Sequence, residues 1–182
     1  MSRPSLPLCV LASPWLPLAA ALASGALLAG AHGFQHWGGL LPCDLCLKQR
    51  PPHWAALGLG LGACVLLRGG HARAGAFVLA LMGLILLTGA GVAAFHVGVE
   101  QHWWQGAGAC AAPLLDGSDP AQMAAALMQA PIVRCDQVAW SLFGLSMAGY
   151  NLVASLVLGA AVLGAAWHWR AKERKHDQDR KA

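Results

Sequence analysis

The chain reads Pro-Cys-Asp-Leu-Cys-Leu-Lys-Gln-Arg from Pro42 to Arg50, between two long apolar segments. This placement predicts that the stretch lies where a membrane span meets water. Two thiols three residues apart, Cys43 and Cys46, can close a small disulfide ring or give both sulfurs to a metal. On a helix, Arg50 would share a face with Cys46, and its permanent charge would favour the reactive thiolate. The stretch therefore predicts a reactive or metal-binding thiol pair at a membrane edge.

The composition is that of an integral membrane protein. Only 11% of the 182 residues are charged, and the mean hydropathy is +0.53, whereas soluble domains carry about 25% charged residues. A chain of this length has room for about four helical spans of ~20 residues each. We therefore predict an all-α membrane protein, a four-helix transmembrane bundle, that forms one integral membrane domain over residues 1–182.

Four apolar segments predict the membrane-spanning helices of this bundle. A long external loop, residues 96–136, separates the third segment from the fourth. In this loop Asp119 predicts the N-cap of a short helix over residues 120–130, with proline at its first position. A basic tail, residues 168–182, ends the chain. The predicted spans cover residues 14–37, 47–67, 74–95 and 141–167.

Two prolines complicate the start of the second predicted span. Pro51 and Pro52 fit a first helical turn, but they would kink a helix interior. We therefore expect residues 43–50 to be irregular or kinked rather than regular helix. Further along the same span, Gly58 and Gly62 predict a face for close packing against another helix.

The distribution of positive charge predicts the orientation in the membrane. Six of the twelve Lys and Arg residues lie in the tail, and Arg68 and Arg73 share one short loop, so both regions should be cytoplasmic. Both chain ends are then inside, and the other two loops face outside. Topology explains the basic tail, and we predict no nucleic-acid partner. The first span also resembles a cleaved signal peptide, but its long apolar run favours an uncut anchor.

Four of the six cysteines fall on the outer, oxidising side under this topology. They allow three pairings, and static structural disulfides are one interpretation. A zinc site is another, but zinc usually uses a second closely spaced ligand pair, whereas Cys110 and Cys135 are 25 residues apart; we predict no metal. A tight ring beside a cation is typical of an exchangeable disulfide. The outer cysteines are Cys43, Cys46, Cys110 and Cys135, while Cys9 and Cys64 are expected to be apolar fillers.

The combination of motifs resembles the disulfide bond formation protein B (DsbB) family, membrane oxidases of the bacterial periplasm. The resemblance covers most of the chain, and its motifs are specific as a set. It rests on Pro42-Cys43-x-x-Cys46-x-x-x-Arg50, His96-x-Gly98-x-Glu100, Cys110, Cys135-Asp136 ahead of Trp140, Gly144-x-Ser146 and Tyr150-Asn151.

The resemblance implies a disulfide oxidoreductase of the bacterial inner membrane whose active cysteines face the periplasm. A thioredoxin-like periplasmic partner of the DsbA type would bring its reduced dithiol to a Cys110–Cys135 disulfide, with Cys110 as the sulfur attacked. Cys135 would then exchange with a Cys43–Cys46 disulfide, and Cys46 would deliver electrons to a membrane quinone, ubiquinone or menaquinone. Arg50 would stabilise the Cys46 thiolate and the charge that develops on a quinone oxygen.

His96 and Glu100, four residues apart near the end of the third span, are further candidates for the quinone site. They could contact the quinone or carry protons, or they could simply cap the span at the interface. The Trp103-Trp104 pair could stack on a quinone, but interfacial anchoring is the simpler interpretation. Two polar residues of the fourth span are expected to form interhelical hydrogen bonds: Ser146 and Asn151.

Three alternatives stay open. An enzyme of the vitamin K epoxide reductase type also combines a Cys-x-x-Cys with a loop pair, but there the loop pair comes first, whereas here Cys43 and Cys46 precede it. A variant of the DsbB type could serve one dedicated partner. The chain could also be a non-enzymatic membrane scaffold with static disulfides, and quinone reduction that requires a dithiol partner separates an enzyme from a scaffold.

Overall fold

The computed structural model describes residues 13–106 and 133–181, and most of this part is helical. A short antiparallel hairpin, in which Ser141 pairs with Ser146, is the exception among the described residues. The predicted helical class is therefore confirmed. The elements are α1 (Leu16–His36), α2 (Asp44–Lys48), α3 (Arg50–Arg68), α4 (Ala72–Glu100), β1 (Ser141–Leu142), β2 (Leu145–Ser146) and α5 (Met147–Asp179).

Three helices are long and apolar enough to cross a membrane: α1, α4 and α5. They correspond to the first, third and fourth predicted spans, and they confirm an integral membrane protein. The helix α3 matches the second predicted span in position, but its 19 residues begin with Arg-Pro-Pro-His and end with Arg68. Within the described chain it is not among the helices that satisfy the same measure. The four-span bundle and the single-domain extent therefore stay predictions.

The second predicted span is divided at Gln49. A short helix, α2, ends just before this residue and α3 begins just after it, so that Pro51 and Pro52 lie in the first turn of α3. Proline is tolerated there because the first turn does not use its missing N–H in an intrahelical bond. The expected irregularity is thus limited to the interruption at Gln49, since residues 44–48 are helical, and α3 begins at Arg50 rather than at residue 47.

The sequence predicted that the fourth span begins at residue 141. The corresponding helix, α5, begins later, at Met147, because a tight hairpin comes first. Phe143 has a φ of 51° and Gly144 a φ of 79°, and such positive values exclude a right-handed helix at these residues. Ser146 then caps α5, since its Oγ accepts a hydrogen bond from the N–H of Gly149 at 3.1 Å.

The helices α4 and α5 both continue beyond the predicted spans. The helix α4 runs to Glu100 rather than to residue 95, so His96 and Glu100 lie one turn apart on one helix face. The helix α5 runs to Asp179, through most of the predicted basic tail, and Asp177 forms an ion pair with Arg73 at the start of α4. The basic tail is therefore helical as far as Asp179.

The core lies where α4 meets the other long helices. Leu79, Met82 and Leu86 of α4 are fully buried, and they pack in one cluster with Val162 of α5 and Ala56 of α3. Close packing of this kind, with small residues between larger ones, is what holds helices together in lipid, where burial of apolar surface from water contributes little.

The helices α1 and α3 approach each other closely at Gly60. A Cβ atom at this position would lie 2.7 Å from the carbonyl oxygen of Pro17 and 2.8 Å from the Cβ of Ala21, so a larger residue would push the helices apart. The predicted packing face at Gly58 and Gly62 is wrong, because neither position faces any atom of another element within 4 Å in the described chain.

Some predictions fall on parts of the chain that the structure does not describe. Cys110 and the predicted short helix over residues 120–130 lie outside the described residues, and so does Cys9. These predictions stay open.

Candidate active site

The two thiols of the Cys-x-x-Cys motif lie at the N-terminus of α2, outside the membrane-spanning helices. Cys43 is the N-cap residue, and its Sγ accepts a hydrogen bond from the N–H of Cys46 at 3.2 Å. The two Sγ atoms lie 2.8 Å apart as a hydrogen-bonded dithiol. Cys43 is buried whereas Cys46 is partly exposed, so the two sulfurs have different surroundings.

The shared hydrogen bond makes the two thiols unequal acids. The hydrogen bond with Cys43 lowers the pKa of Cys46, while the same contact and burial raise the pKa of Cys43 to about 12. A single negative charge on the pair therefore resides on Cys46. Because the thiolate is the reactive form of a cysteine, the lowered pKa favours Cys46 over Cys43 as the nucleophile of the reduced pair.

Cys135 is buried against the same pair. It belongs to a small apolar cluster with Cys43 and Val99, against which Cys46 also packs. The sulfurs of Cys135 and Cys46 are close enough that negative charge on Cys135 would raise the pKa of Cys46. The fold thus brings together three of the four cysteines predicted to be redox-active. The fourth, Cys110, lies outside the described residues, and its predicted disulfide with Cys135 stays a prediction.

His96 and Glu100 are buried beside Cys43, at the end of α4. The Nε2 atom of His96 lies 3.6 Å from the Sγ of Cys43 and 3.9 Å from Oε1 of Glu100. The hydroxyl of Ser146 donates to the other carboxylate oxygen of Glu100 at 2.5 Å, which is one of the expected interhelical hydrogen bonds. These contacts tie the thiol pair to α4 and to the start of α5.

An apolar cavity of about 740 Å³ lies beside Cys46, with walls from α1, α3 and α5. Most of the lining side chains are aliphatic or aromatic, as is typical of sites for small apolar ligands with a few polar groups. Cys43 and Glu100 are not part of the wall. The polar and thiol-bearing side chains that line it are Cys46, Gln49, Arg50, His53, His96, Tyr150 and Asn151.

Arg50, in the first turn of α3, lines the same cavity as Cys46. Its side chain is partly buried, and within residues 13–106 and 133–181 it takes part in no hydrogen bond or ion pair. A guanidinium in this position keeps its donors available for an acceptor oxygen of a ligand.

A buried polar network beside the thiols was not anticipated from the sequence. Gln49 bonds the Nδ1 of His96 at 2.8 Å, and the Nδ2 of Asn151 donates to the Oε1 of Gln49 at 2.5 Å. The Oδ1 of Asn151 in turn lies 2.6 Å from the Nε2 of His53. The expected interhelical role of Asn151 is confirmed. Polar residues inside apolar helices are rare and often functional, and this signal could have singled out Gln49 and His53.

The Trp103-Trp104 pair does not line the cavity. The indole N–H of Trp104 donates to the carbonyl oxygen of Phe95 at 2.9 Å, and its ring stacks on Phe95. These contacts fit the interfacial anchoring considered from the sequence, rather than stacking on a ligand in this cavity.

Cys43, Cys46 and His96 each offer one ligand atom, and these atoms lie within 4.8 Å of one another, a group that could hold a metal ion. The two sulfurs lie 2.8 Å apart, which is closer than the roughly 3.8 Å between two thiolates on one tetrahedral zinc. The expectation of no metal stays a prediction.

These features define a class of protein: a helical membrane protein with a dithiol at the edge of an apolar cavity and a further cysteine beside it, suited to disulfide exchange at a membrane. The chain belongs to the DsbB family, because the model of the family "Disulfide bond formation protein DsbB" matches residues 13–165. It is therefore an inner-membrane protein of disulfide bond formation.

Relatives of the chain carry the same family name. "Disulfide bond formation protein B" of Azoarcus sp. (strain BH72) is 34% identical over 149 residues, which cover 78% of this chain and 83% of that protein. The protein of this name from Methylobacillus flagellatus is 31% identical over 137 residues, 72% and 80% of the two chains. That from Herminiimonas arsenicoxydans is 43% identical over 84 residues, 46% and 51%. No solved structure gave a significant match.

Proposed function

We propose that this protein reoxidises the dithiol of a periplasmic, thioredoxin-like oxidase of the DsbA type and passes the electrons to a membrane quinone. The observation that carries the proposal is the position of Cys46. Its sulfur lies 2.8 Å from the Sγ of Cys43, and the residue also lines the apolar cavity. One thiol therefore connects the disulfide-exchanging pair with a binding site for an apolar molecule.

The residues around the cavity fit a quinone, either ubiquinone or menaquinone. A quinone has a flat head group with two carbonyl oxygens and an apolar tail, which suits an aliphatic cavity with few polar groups. Arg50 and His96 would face the head group together with Cys46, and Arg50 would donate to a carbonyl oxygen. When bound, the quinone supplies an acceptor for two electrons and two protons. Glu100 would act through His96, since it contacts that ring and is not part of the cavity wall.

The proposed thiol route runs from Cys135 to Cys46. The thiolate of Cys135 attacks the Sγ of Cys43 in the oxidised pair, so that a Cys43–Cys135 bond forms and the Cys43–Cys46 bond breaks. The electron pair of the broken bond leaves on the sulfur of Cys46, which is then the thiolate at the cavity. Cys135 already packs against the pair, so this exchange requires little rearrangement. The partner would attack the Cys110–Cys135 disulfide at Cys110.

Quinone reduction by the purified protein, supplied with a reduced partner, tests this function. A scaffold with static disulfides would consume no quinone under these conditions. Comparison of several thioredoxin-like partners in the same assay separates a general oxidase from one that serves a dedicated partner, because only the former accepts them all.

Replacement of Cys135 by Ser should trap the partner on Cys110. In this variant Cys110 is a thiol without its disulfide partner, so it is supplied with a single-cysteine form of the partner that is activated as a mixed disulfide with thionitrobenzoate. The Cys110 thiolate attacks, the Cys110–partner bond forms and thionitrobenzoate leaves as the thiolate. No second thiol resolves the product, so the covalent complex is expected to accumulate several-fold over the unmodified protein. Non-reducing electrophoresis measures it. Cys64→Ser, which removes a buried thiol of α3 far from Cys135 in sequence, is the matched control and should trap none. A complex that requires Cys135 and forms without Cys110 would show that the attack site is assigned wrongly.

The thiols should face the periplasm. His96, beside Cys43, and Arg73, in the basic loop, lie at opposite ends of α4, about 35 Å apart along the helix, and the basic end should be cytoplasmic. In intact cells a membrane-impermeant maleimide is expected to label reduced Cys46. A cysteine introduced as Gly70→Cys should react only after the membrane is opened. The reverse labelling pattern would contradict both the orientation and the proposed partner.

A further inference from the structure

The orientation of the Gln49 side-chain amide is determined by the main-chain carbonyl oxygen of Leu45, which can only accept a hydrogen bond. A side-chain atom of Gln49 lies 3.2 Å from the main-chain carbonyl oxygen of Leu45. A carbonyl oxygen has no proton to give, so this atom must be the amide nitrogen, Nε2. The same nitrogen lies 2.8 Å from Nδ1 of His96. The oxygen, Oε1, faces Asn151 and accepts a hydrogen bond from its Nδ2 at 2.5 Å.

This orientation determines the tautomer of His96. Because the Gln49 nitrogen donates, Nδ1 of His96 must accept, and the neutral ring then carries its proton on Nε2. The other side of the ring agrees with this assignment. Nε2 faces the Sγ of Cys43 at 3.6 Å and a carboxylate oxygen of Glu100 at 3.9 Å. A carboxylate oxygen is an acceptor, and a thiol sulfur can accept as well.

The rest of the network holds this arrangement in place. With its nitrogen committed to Gln49, Asn151 presents Oδ1 to Nε2 of His53 at 2.6 Å and to the hydroxyl of Ser155 at 3.3 Å. Reversal of the Gln49 amide would therefore break its bonds to Leu45 and Asn151 and leave buried polar groups unpaired. The network spans α2, α3, α4 and α5, and it favours one tautomer of one histidine.

We infer that His96 acts on Cys43 as a fixed, neutral hydrogen-bond donor rather than as a base, and that Gln49 is the positioning residue that sets its tautomer. A base would need a lone pair on Nε2, which is already protonated. A donor stabilises negative charge on the Cys43 sulfur whenever that sulfur becomes a thiolate. This deepens the proposed function, and it rests on that function only for the use of the charge in turnover.

Several groups near Cys43 and His96 also influence their titration. Cys46 and burial raise the pKa of Cys43, and the hydrogen bond with His96 opposes this rise. Glu100 faces His96 from α4, and Cys135 faces it from the segment before the hairpin. The effect of His96 must therefore be measured with these neighbours held constant.

The test uses the full-length protein in lipid nanodiscs, with Cys43 as its one thiol and the other five cysteines replaced by Ser in every sample. The rate of alkylation by iodoacetamide as a function of pH reports the pKa of Cys43. Three variants separate the roles. Gln at 96 can place an amide nitrogen where Nε2 of the imidazole lies, Asn places it where Nδ1 lies, and Ala places none.

We expect His96→Ala and His96→Asn to raise the pKa of Cys43 by about one unit. His96→Gln should bring this pKa most of the way back to its value in the parent protein. Glutamine cannot act as a base, so this rescue separates a donor from a base. His36→Ala, an exposed histidine at the end of α1, is the control and should change nothing. Asn rescue without Gln rescue, or no difference between Ala and the parent histidine, would overturn the inference.

The tautomer is measured directly by ¹⁵N NMR of protein labelled at histidine. The His96 signals of the parent should show a protonated Nε2 and an unprotonated Nδ1, and Gln49→Leu should convert them to a mixture of tautomers. A protonated Nδ1 in the parent at neutral pH would overturn the inference. Neither measurement contains quinone or partner, so failure here leaves the proposed function standing, and loss of quinone reduction leaves the donor role standing.

Discussion

Replacement of Cys46 by Ser is expected to lower the rate of quinone reduction at least about 1,000-fold, because a nucleophile removed from a catalytic unit typically costs this much or more. Cys46 is the sulfur of the pair whose pKa is lowered, and it lines the cavity, whereas Cys43 does not. A serine hydroxyl can neither carry the negative charge at neutral pH nor close a disulfide with Cys43. Quinone absorbance in the ultraviolet follows the reaction.

The same variant should keep one partial reaction. Cys110 and Cys135 are unchanged in Cys46→Ser, so the partner should still exchange once with their disulfide. Cys64→Ser is the matched control, since it removes a buried thiol of α3 that is not part of the site, and it should retain full turnover. Quinone reduction by Cys46→Ser at more than a tenth of the normal rate would mean that another sulfur passes the electrons on.

The second large effect is expected on quinone affinity when Arg50 is replaced. Its guanidinium lines the cavity without a partner among the described residues, so a quinone oxygen would be its acceptor. A charge-assisted hydrogen bond contributes about 1.5–3 kcal/mol, and 1.4 kcal/mol is tenfold in affinity. We therefore expect Arg50→Ala to weaken quinone binding about 10- to 100-fold. Arg50→Lys keeps the charge but loses the planar fork, and its loss should be smaller.

The control for Arg50 lies at the other end of the bundle. Arg73→Ala removes an arginine that pairs with Glu173 and Asp177, and it should leave quinone affinity unchanged. Fluorescence titration of the tryptophan that lines the cavity, Trp140, measures the affinity. Normal affinity and kinetics in Arg50→Ala, at normal protein abundance, would mean that Arg50 only anchors α3 at the membrane surface.

The parts of the fold that depend on local chemistry could be predicted from the sequence. The apolar runs predicted α1, α4 and α5, and the two prolines after Arg50 predicted the break between α2 and α3. The start of α5 could not be predicted, because it depends on the backbone of Phe143 and Gly144, which both adopt positive φ. Nor could the contact of α1 with α3 at Gly60, since a glycine-rich helix offers several equivalent faces and tertiary packing selects one.

In the candidate site, too, the features that depend on local sequence could be predicted, and the contacts between distant residues could not. The spacing of Cys43, Cys46 and Arg50 is local, so the sequence could single out all three. The contact between His96 and Cys43 joins residues 53 positions apart, and the bond between Asn151 and Gln49 joins residues 102 apart. No periodicity encodes such pairs. They arise because α4 and α5 pack beside α2 and α3, and a single sequence does not reveal that arrangement.

The most direct test of the central claim measures two quantities in one anaerobic reaction: partner dithiol oxidised and quinone reduced. Purified protein in nanodiscs receives a reduced DsbA-type partner and a known amount of quinone, and acid-quenched samples are scored for both. We expect one quinone to be reduced for each dithiol oxidised, with neither change in Cys46→Ser beyond the first exchange. Partner oxidation that continues without quinone, or quinone reduction that needs no partner, would contradict it.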